Sequence, residues 1–284
     1  MKFAFSSNAF LRHNLIETIR IVSRLGYEGI EIMADVPHAF PLHLTDEDIT
    51  SIRNTLADEG LSISNINAFM HNADGDTYHP SWIEKDLAMR EKRIDYTLRC
   101  IDLAEKLGAR NISTEPGGPL DGISPEEGLR LYREGLMAVE GTARGKGIKI
   151  LIEPEPGLLV ENSAQFLDLF EDLDPTVFGI NFDVGHFFCV NENPSQLILS
   201  MKDYIHHFHL EDIAATRAHH HLMLGHGAID LCKILNTIEE IGYQGFVTVE
   251  LYTYEHAPED AALGAIQYLE KWRKQNFPTD SARP

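Results

Sequence analysis

Two hydrophobic periods alternate along this chain of 284 residues, and the alternation repeats eight times. Short runs rich in Ile, Val and Phe give way to longer segments whose apolar residues recur every three or four positions, the signatures of strand and helix. The runs lie at Lys2–Phe5, Gly29–Met33, Ser62–Ala68, Asn111–Thr114, Lys149–Glu153, Phe178–Phe182, Ile205–Leu210 and Phe246–Leu251. Helix ends are marked by glycine before the next strand, as in SRLGYEGIEI, ADEGLSIS, AEKLGARNIS, ARGKGIKILIE and EEIGYQGFVTVE. Helix starts are marked by Thr45 with Asp48, Ser124-Pro125 with Glu126, and Asn193-Pro194 with Ser195. Eight strand–helix units with strands buried on both faces predict a parallel sheet closed into a (β/α)8 TIM barrel, an α/β fold with helices outside. An open doubly wound sheet is the alternative, but SSNAFLRH after the first strand is not the glycine-rich turn such sheets carry there.

No Gly/Ser linker, charge run or shift of composition divides the chain, which predicts one barrel domain over residues 1–276 and a polar C-terminal tail at 277–284. The opening MKFAFSSNAFLRHN lacks a sustained apolar run, and no later stretch reaches the length of a membrane helix, so the expectation is a soluble, unprocessed, cytoplasmic protein without a membrane partner. Cys100, Cys189 and Cys232 are far apart and lack a C-x-x-C spacing, which argues against a disulfide framework or a zinc ribbon. The 24 Lys and Arg against 44 Asp and Glu leave a formal charge of −20, a poor match for a nucleic acid backbone.

Four strand ends carry the strongest chemical signal. Strand five ends in Glu153, strand six at Asp183, strand seven at His209 and strand eight at Glu250. In a closed barrel neighbouring strand ends converge on one rim, where barrels hold their active sites, so three carboxylates and an imidazole can surround one divalent ion. Three oxygen donors and one nitrogen suit Mn2+ first, with Mg2+, Co2+ or Zn2+ able to occupy the same set. Burying three acids together is unfavourable unless a cation neutralises them. Two long polar loops, MHNADGDTYHPS and DIAATRAHHHLMLGHG, stand on the same rim.

The endings LIEPEP and VTVEL, with NFDVGH, HHFHLED and GHGAID, make the chain resemble the xylose isomerase-like barrel superfamily over nearly its whole length. That superfamily holds sugar isomerases, ketose 3-epimerases, hydroxypyruvate isomerase, inosose dehydratase and the endonuclease IV type of DNA repair enzyme. The resemblance implies that Glu153, Asp183, His209 and Glu250 are metal ligands and that His186, in D-x-x-H, contacts substrate. His226 stands in GHGAID where relatives carry an acidic or other polar residue, which leaves its role open. The activity implied is a divalent-metal-dependent isomerase or epimerase of a sugar, a sugar phosphate or a related hydroxy-carbonyl compound, working through an enediolate. Glu153 and Glu250 would exchange the proton on opposite sides of the sugar, while Asp183 and His209 only hold the ion.

Other rim residues have two readings each. Arg217 can bind a hydroxyl, phosphate or carboxylate, or stand in solvent; His71 and Glu115, ending strands three and four, are expected to face the rim and contact substrate. Trp82, Phe69 and Tyr252 are either an apolar wall for a sugar or core. The turn STEPGGP can offer backbone N–H groups to an anion, or need its glycines only for shape. Fourteen histidines, crowded at His71, His79, His186, His219–His221 and His226, raise a rival of another class, a multinuclear zinc hydrolase of the endonuclease IV type acting on a phosphate ester. Glu115, standing where those enzymes carry histidine, and the acidic charge both argue against DNA. A metal-dependent dehydratase uses the same ligand frame, and a barrel that only binds a sugar has no need of two metal-bound glutamates. The expected partner is a small sugar-like molecule; pairing into a homo-oligomer stays open.

Overall fold

The computed structural model describes residues 1–277, so all but the first residue of the expected C-terminal tail lies outside the described residues. Eight strands form one closed parallel barrel in sequence order: β1 (Lys2–Ser6), β2 (Gly29–Met33), β3 (Ser62–Asn67), β4 (Asn111–Thr114), β5 (Lys149–Ile152), β6 (Phe178–Asp183), β7 (Ile205–Leu210) and β8 (Phe246–Val249). Around it run α1 (Leu15–Arg24), α2 (Asp46–Asp58), α3 (Leu87–Leu107), α4 (Pro125–Lys146), α5 (Ser163–Phe170), α6 (Val184–Cys189), α7 (Pro194–Met201), α8 (Leu231–Glu240) and α9 (Pro258–Asn276). The predicted TIM barrel is the observed fold. Strand ends differ from the sequence reading by one or two residues, because pairing outlasts regular strand geometry: Glu153 N still donates to Thr114 O and Glu250 N to Leu210 O.

Local chemistry accounts for the boundaries. Asn14 and Thr45 close reciprocal capping boxes with Glu17 and Asp48, and Ser124 and Asn193 cap helices whose first turn begins with proline. Gly108 and Gly147 end α3 and α4 in the left-handed conformation that glycine reaches without a Cβ penalty. No helix among the described residues is long and apolar enough to cross a membrane.

The two faces of the sheet are chemically unlike. Outward side chains such as Phe5, Ile32, Ile66, Ile150, Phe182 and Phe208 are buried under the helices, each burial contributing about 1.5–3 kcal/mol. The barrel interior is instead a column of hydrogen-bonded polar groups. Ser6 Oγ donates to Glu31 Oε1 at 2.7 Å, and the Asn65 amide donates to Glu31 Oε2 and Ser113 Oγ at 2.8 Å each. His207 lies 2.8 Å from both Asn181 Oδ1 and Thr248 Oγ1, and Thr248 donates on to Ser64 Oγ at 3.0 Å. Two register slips, between Ile30 and Glu31 against β3 and between Ile180 and Asn181 against β7, place one extra residue in each partner strand.

Candidate metal centre

Asp183 is the last residue of β6 and pairs across the sheet with His209 of β7, while Glu153 and Glu250 follow the last residues of β5 and β8. One ligand atom from each of these four side chains lies within 4.8 Å of all the others, and all four side chains are buried. His209 is the hub. Its Nδ1 is 2.8 Å from Glu153 Oε1, 3.6 Å from Glu250 Oε2 and 3.8 Å from Asp183 Oδ2, and its Nε2 is 2.7 Å from Glu31 Oε2.

Charge explains the protonation states. Burial opposes a charge on the His209 ring, but the surrounding carboxylates of Glu153, Glu31 and Glu250 prevail and hold its pKa well above the ordinary value. Burial likewise works to raise Glu31, yet the fields of His209 and His207 and the bonds from His209 and Asn65 bring it down to about 2. Glu250 is pushed well up by burial, against the opposing field of His209 and with the help of neighbouring carboxylates, and Glu153 also rises, again by burial against His209. The site thus concentrates more negative charge than a single imidazolium neutralises. Glu153 Oε2 and Asp183 Oδ2 are buried without a hydrogen-bond partner. Unpaired, buried carboxylate oxygens converging beside an imidazole are the donor set a divalent cation satisfies, so the residues fit a metal.

A cavity of about 740 Å3 opens above this cluster, reached by Glu153, Glu250 and His186. His186 Nδ1 is 2.9 Å from Pro154 O, and burial holds the ring's pKa well below its ordinary value, so the neutral ring donates from Nδ1 and keeps a lone pair on Nε2. Asn8, Asn67, Tyr78, Glu155, His219 and Glu255 also line the cavity, with an apolar side that includes Met33, Phe69 and Tyr252. Asn8 Nδ2 donates to Glu250 Oε1 at 2.8 Å, and Tyr78 Oη donates to Glu155 Oε1 at 3.0 Å. Lys and Arg are absent from its lining among the described residues.

Three expected contact residues lie elsewhere. Arg217 lays its guanidinium over the Phe188 ring at 3.9 Å and donates to Phe188 O. Glu115 is fully buried 3.5 Å from the Arg93 guanidinium, which draws it beneath the rim. His71 is buried with its Nδ1 against the Asp74 carboxylate, burial holds the ring's pKa below its ordinary value, and the ring packs edge-on against Phe40 and Tyr96. Trp82 is core, with Nε1 donating to Thr114 Oγ1 at 3.0 Å. In STEPGGP the left-handed Gly117 and Gly118 have a packing reason, since a Cβ on either would fall 2.6 Å from Leu159 or 2.4 Å from Ser81.

A second cluster adjoins the first. The His186, His219 and His221 rings lie 4.6 to 5.8 Å apart between centroids, and each also brings a nitrogen within 4.8 Å of the others. Burial lowers the pKa of all three, and the Nε2 atoms of His219 and His221 have no partner. Asp183 and His221 form a further group with Glu211, whose Oε1 accepts from Gly185 N.

Comparison with known proteins places this geometry in context. Fructoselysine 3-epimerase of Shigella flexneri is 26% identical over 261 residues, 89% of this chain and 90% of that protein. Inosose isomerase of Halalkalibacterium halodurans is 23% identical over 266 residues, 90% of this chain and 89% of that protein. The crystal structure of the IOLI protein with a binding zinc atom superposes with a TM-score of 0.80 at 20% identity, covering 98% of this chain and all of that one, a likeness of fold. Residues 19–272 match the xylose isomerase-like TIM barrel family, and the chain belongs to it.

Proposed function

We propose that this protein is a divalent-metal-dependent isomerase or epimerase of an uncharged sugar or cyclic polyol ketone. The observation that carries the reading is the cluster of Glu153, Asp183, His209 and Glu250 with two buried carboxylate oxygens unpaired, two of its members opening into the cavity. The named relatives, an epimerase and an isomerase of sugar-like compounds, agree with it. Mn2+ is the ion best suited to three oxygen donors and one nitrogen, with Zn2+, the ion of the IOLI protein, as the alternative.

When bound, the ion supplies electrophilic pull on the substrate carbonyl and offsets the charge that develops as the adjacent C–H proton leaves. The chain's residues do the rest. One carboxylate oxygen of Glu153 and one of Glu250 would hold the ion, which leaves the other oxygen of Glu153 to take the proton and Glu250, steadied by the Asn8 amide that donates to its Oε1, to return one. His186, neutral and accepting at Nε2, orients a substrate hydroxyl. Phe69, Met33 and Tyr252 cover the apolar side of the sugar and exclude water. Because the lining holds acids and no Lys or Arg, a phosphate or carboxylate on the substrate meets repulsion without a partner.

The test is hydrogen exchange. Protein loaded with Mn2+ and incubated with unphosphorylated ketoses and inososes in D2O incorporates deuterium at the carbon beside the carbonyl, and the phosphorylated forms exchange more slowly. Absence of exchange across the neutral panel overturns the reading.

The trio His186, His219 and His221 favours a second reading, a multinuclear metal hydrolase, since three neutral imidazoles with two unpartnered nitrogens are ready to ligate. His71 and Glu115 join neither cluster among the described residues. Metal analysis separates the two: one divalent ion per chain supports the isomerase, and two or more support the hydrolase.

A further inference from the structure

At the end of the barrel opposite the metal centre, where the strands begin, lies a hollow of about 900 Å3. Four cationic side chains line it, Lys2, Arg53, Arg110 and Lys149, and no Asp or Glu does among the described residues. On a chain with formal charge −20 that is a marked inversion. Cations close by in the sequence follow the opposite habit: Lys106 pairs with Asp46, Lys146 with Asp102 and Glu105, and Arg144 with Glu140 and Asp174. None of the four in the hollow stands within ion-pair distance of a carboxylate among the described residues. Lys149 Nζ donates to Pro175 O at 2.8 Å and Thr176 O at 3.2 Å, which leaves its third proton available. Asp174, the acid whose field reaches Lys149, is bound by Arg144 at 2.6 Å.

Like charges lining one concavity repel one another, and an anion that enters relieves that repulsion. The same hollow is lined by the apolar side chains of Leu56, Leu61 and Phe246, and Lys2 Nζ stands 5.4 Å from the centroid of the Phe246 ring. A lining of that kind contributes by covering the body of an organic molecule rather than a bare ion. Ser64 and Asn111 also line the hollow, and Asn111 Nδ2 donates to Asn65 Oδ1 at 2.6 Å, so the hollow stands at the foot of the polar column that leads through Asn65 and Glu31 to His209. We propose that this hollow binds a small organic polyanion, a molecule with an apolar body and at least two phosphate, sulfonate or carboxylate groups. It is separate from the reaction cavity, whose lining holds no cation.

The probe is 1,5-naphthalenedisulfonate, a dianion that does not chelate divalent metals, titrated into the intact protein loaded with diamagnetic Zn2+ by calorimetry and followed through the ring resonances of His206, which lines the hollow. Binding saturates at one site per chain and the His206 resonances move in step with the heat. The double variant Arg53→Ala/Arg110→Ala, both positions exposed, loses about tenfold or more in affinity with its melting temperature unchanged, while Lys233→Ala, on α8, binds as the parent does. Benzenesulfonate, with one charge, binds about tenfold more weakly than the dianion. Absence of saturation, equal affinity in the double variant, an unmoved His206, or equal affinity for the monoanion overturns the proposal. None of these readouts depends on turnover at the metal centre.

Discussion

Glu31 Oε2 lies 2.7 Å from Nε2 of His209, so the second strand of the barrel grips the ring on the nitrogen turned away from the Glu153 carboxylate. A carboxylate in that place fixes the ring's rotation and raises the basicity of the opposite nitrogen. Glu31→Gln keeps the volume and loses the charge. Affinity for Mn2+ is expected to fall about 10- to 100-fold, measured by titration calorimetry, with the fold intact by circular dichroism. Unchanged affinity removes Glu31 from the site.

Metal uptake is expected to release protons. Glu153, Glu31 and Glu250 hold His209 protonated without a cation, and a ligating imidazole must give up the proton on the nitrogen that binds. Affinity therefore rises with pH, and calorimetry in buffers of different ionisation enthalpy reports the release of about one proton or more per ion. A buffer-independent enthalpy contradicts the assigned protonation.

Glu153→Gln and Glu250→Gln are each expected to lower turnover by about 100-fold or more, since general acid–base catalysis contributes on that scale. Full activity in both variants removes the two-glutamate mechanism.

Much of this site was legible in the residues. The ends of four successive strands named Glu153, Asp183, His209 and Glu250 because a parallel barrel delivers strand ends to one rim whatever the helices do. Glu31 was hidden inside GIEIM, where a charge in a short apolar run reads as a solvent-facing position. Its signal was the alternation of polar residues in NIN, NFD and HHFH, which implies a polar lumen able to receive it. Asn8 comes from a single 3-10 turn, Ser7–Ala9, after β1, and Tyr78 and Glu155 come from loops, whose paths periodicity does not reveal. Arg217, His71 and Glu115 were assigned from their place beside the rim, but Phe188, Asp74 and Arg93 respectively supply nearer partners. Local position indicates which residues stand near a rim; competing contacts decide which of them point into it.

Glu115 gives a signature in stability. Full burial, against the opposing pull of Arg93, pushes its carboxyl up to about 7 from an ordinary 4.5. Between those values the folded protein holds a proton that the unfolded chain has released, so stability falls as pH rises through that window and levels off above it. The contribution lost is up to about 3 kcal/mol, and Glu115→Gln flattens the corresponding slope in urea denaturation between pH 4.5 and 7. Parallel pH profiles for the two proteins contradict the assignment.

Gly185 leaves no room for a side chain. A Cβ there falls 2.1 Å from Glu211 Oε1 and 2.9 Å from Ile213, and α6, which Gly185 helps to begin, is capped by Asp183. Gly185→Ala is expected to lower stability by about 1–3 kcal/mol in thermal melts and to weaken Mn2+ binding through displaced Asp183. A melt and an affinity both equal to the parent's place the crowding elsewhere.

The hydrogen-bonded lumen also bears on how such a barrel can be re-engineered. A greasy interior tolerates one-at-a-time exchanges of similar bulk, whereas here each lumen group satisfies its neighbours, so a lone exchange strands a donor or an acceptor in the dark. Retargeting the site is therefore best sought in the rim loops, with the staves beneath left untouched or altered only as complementary sets.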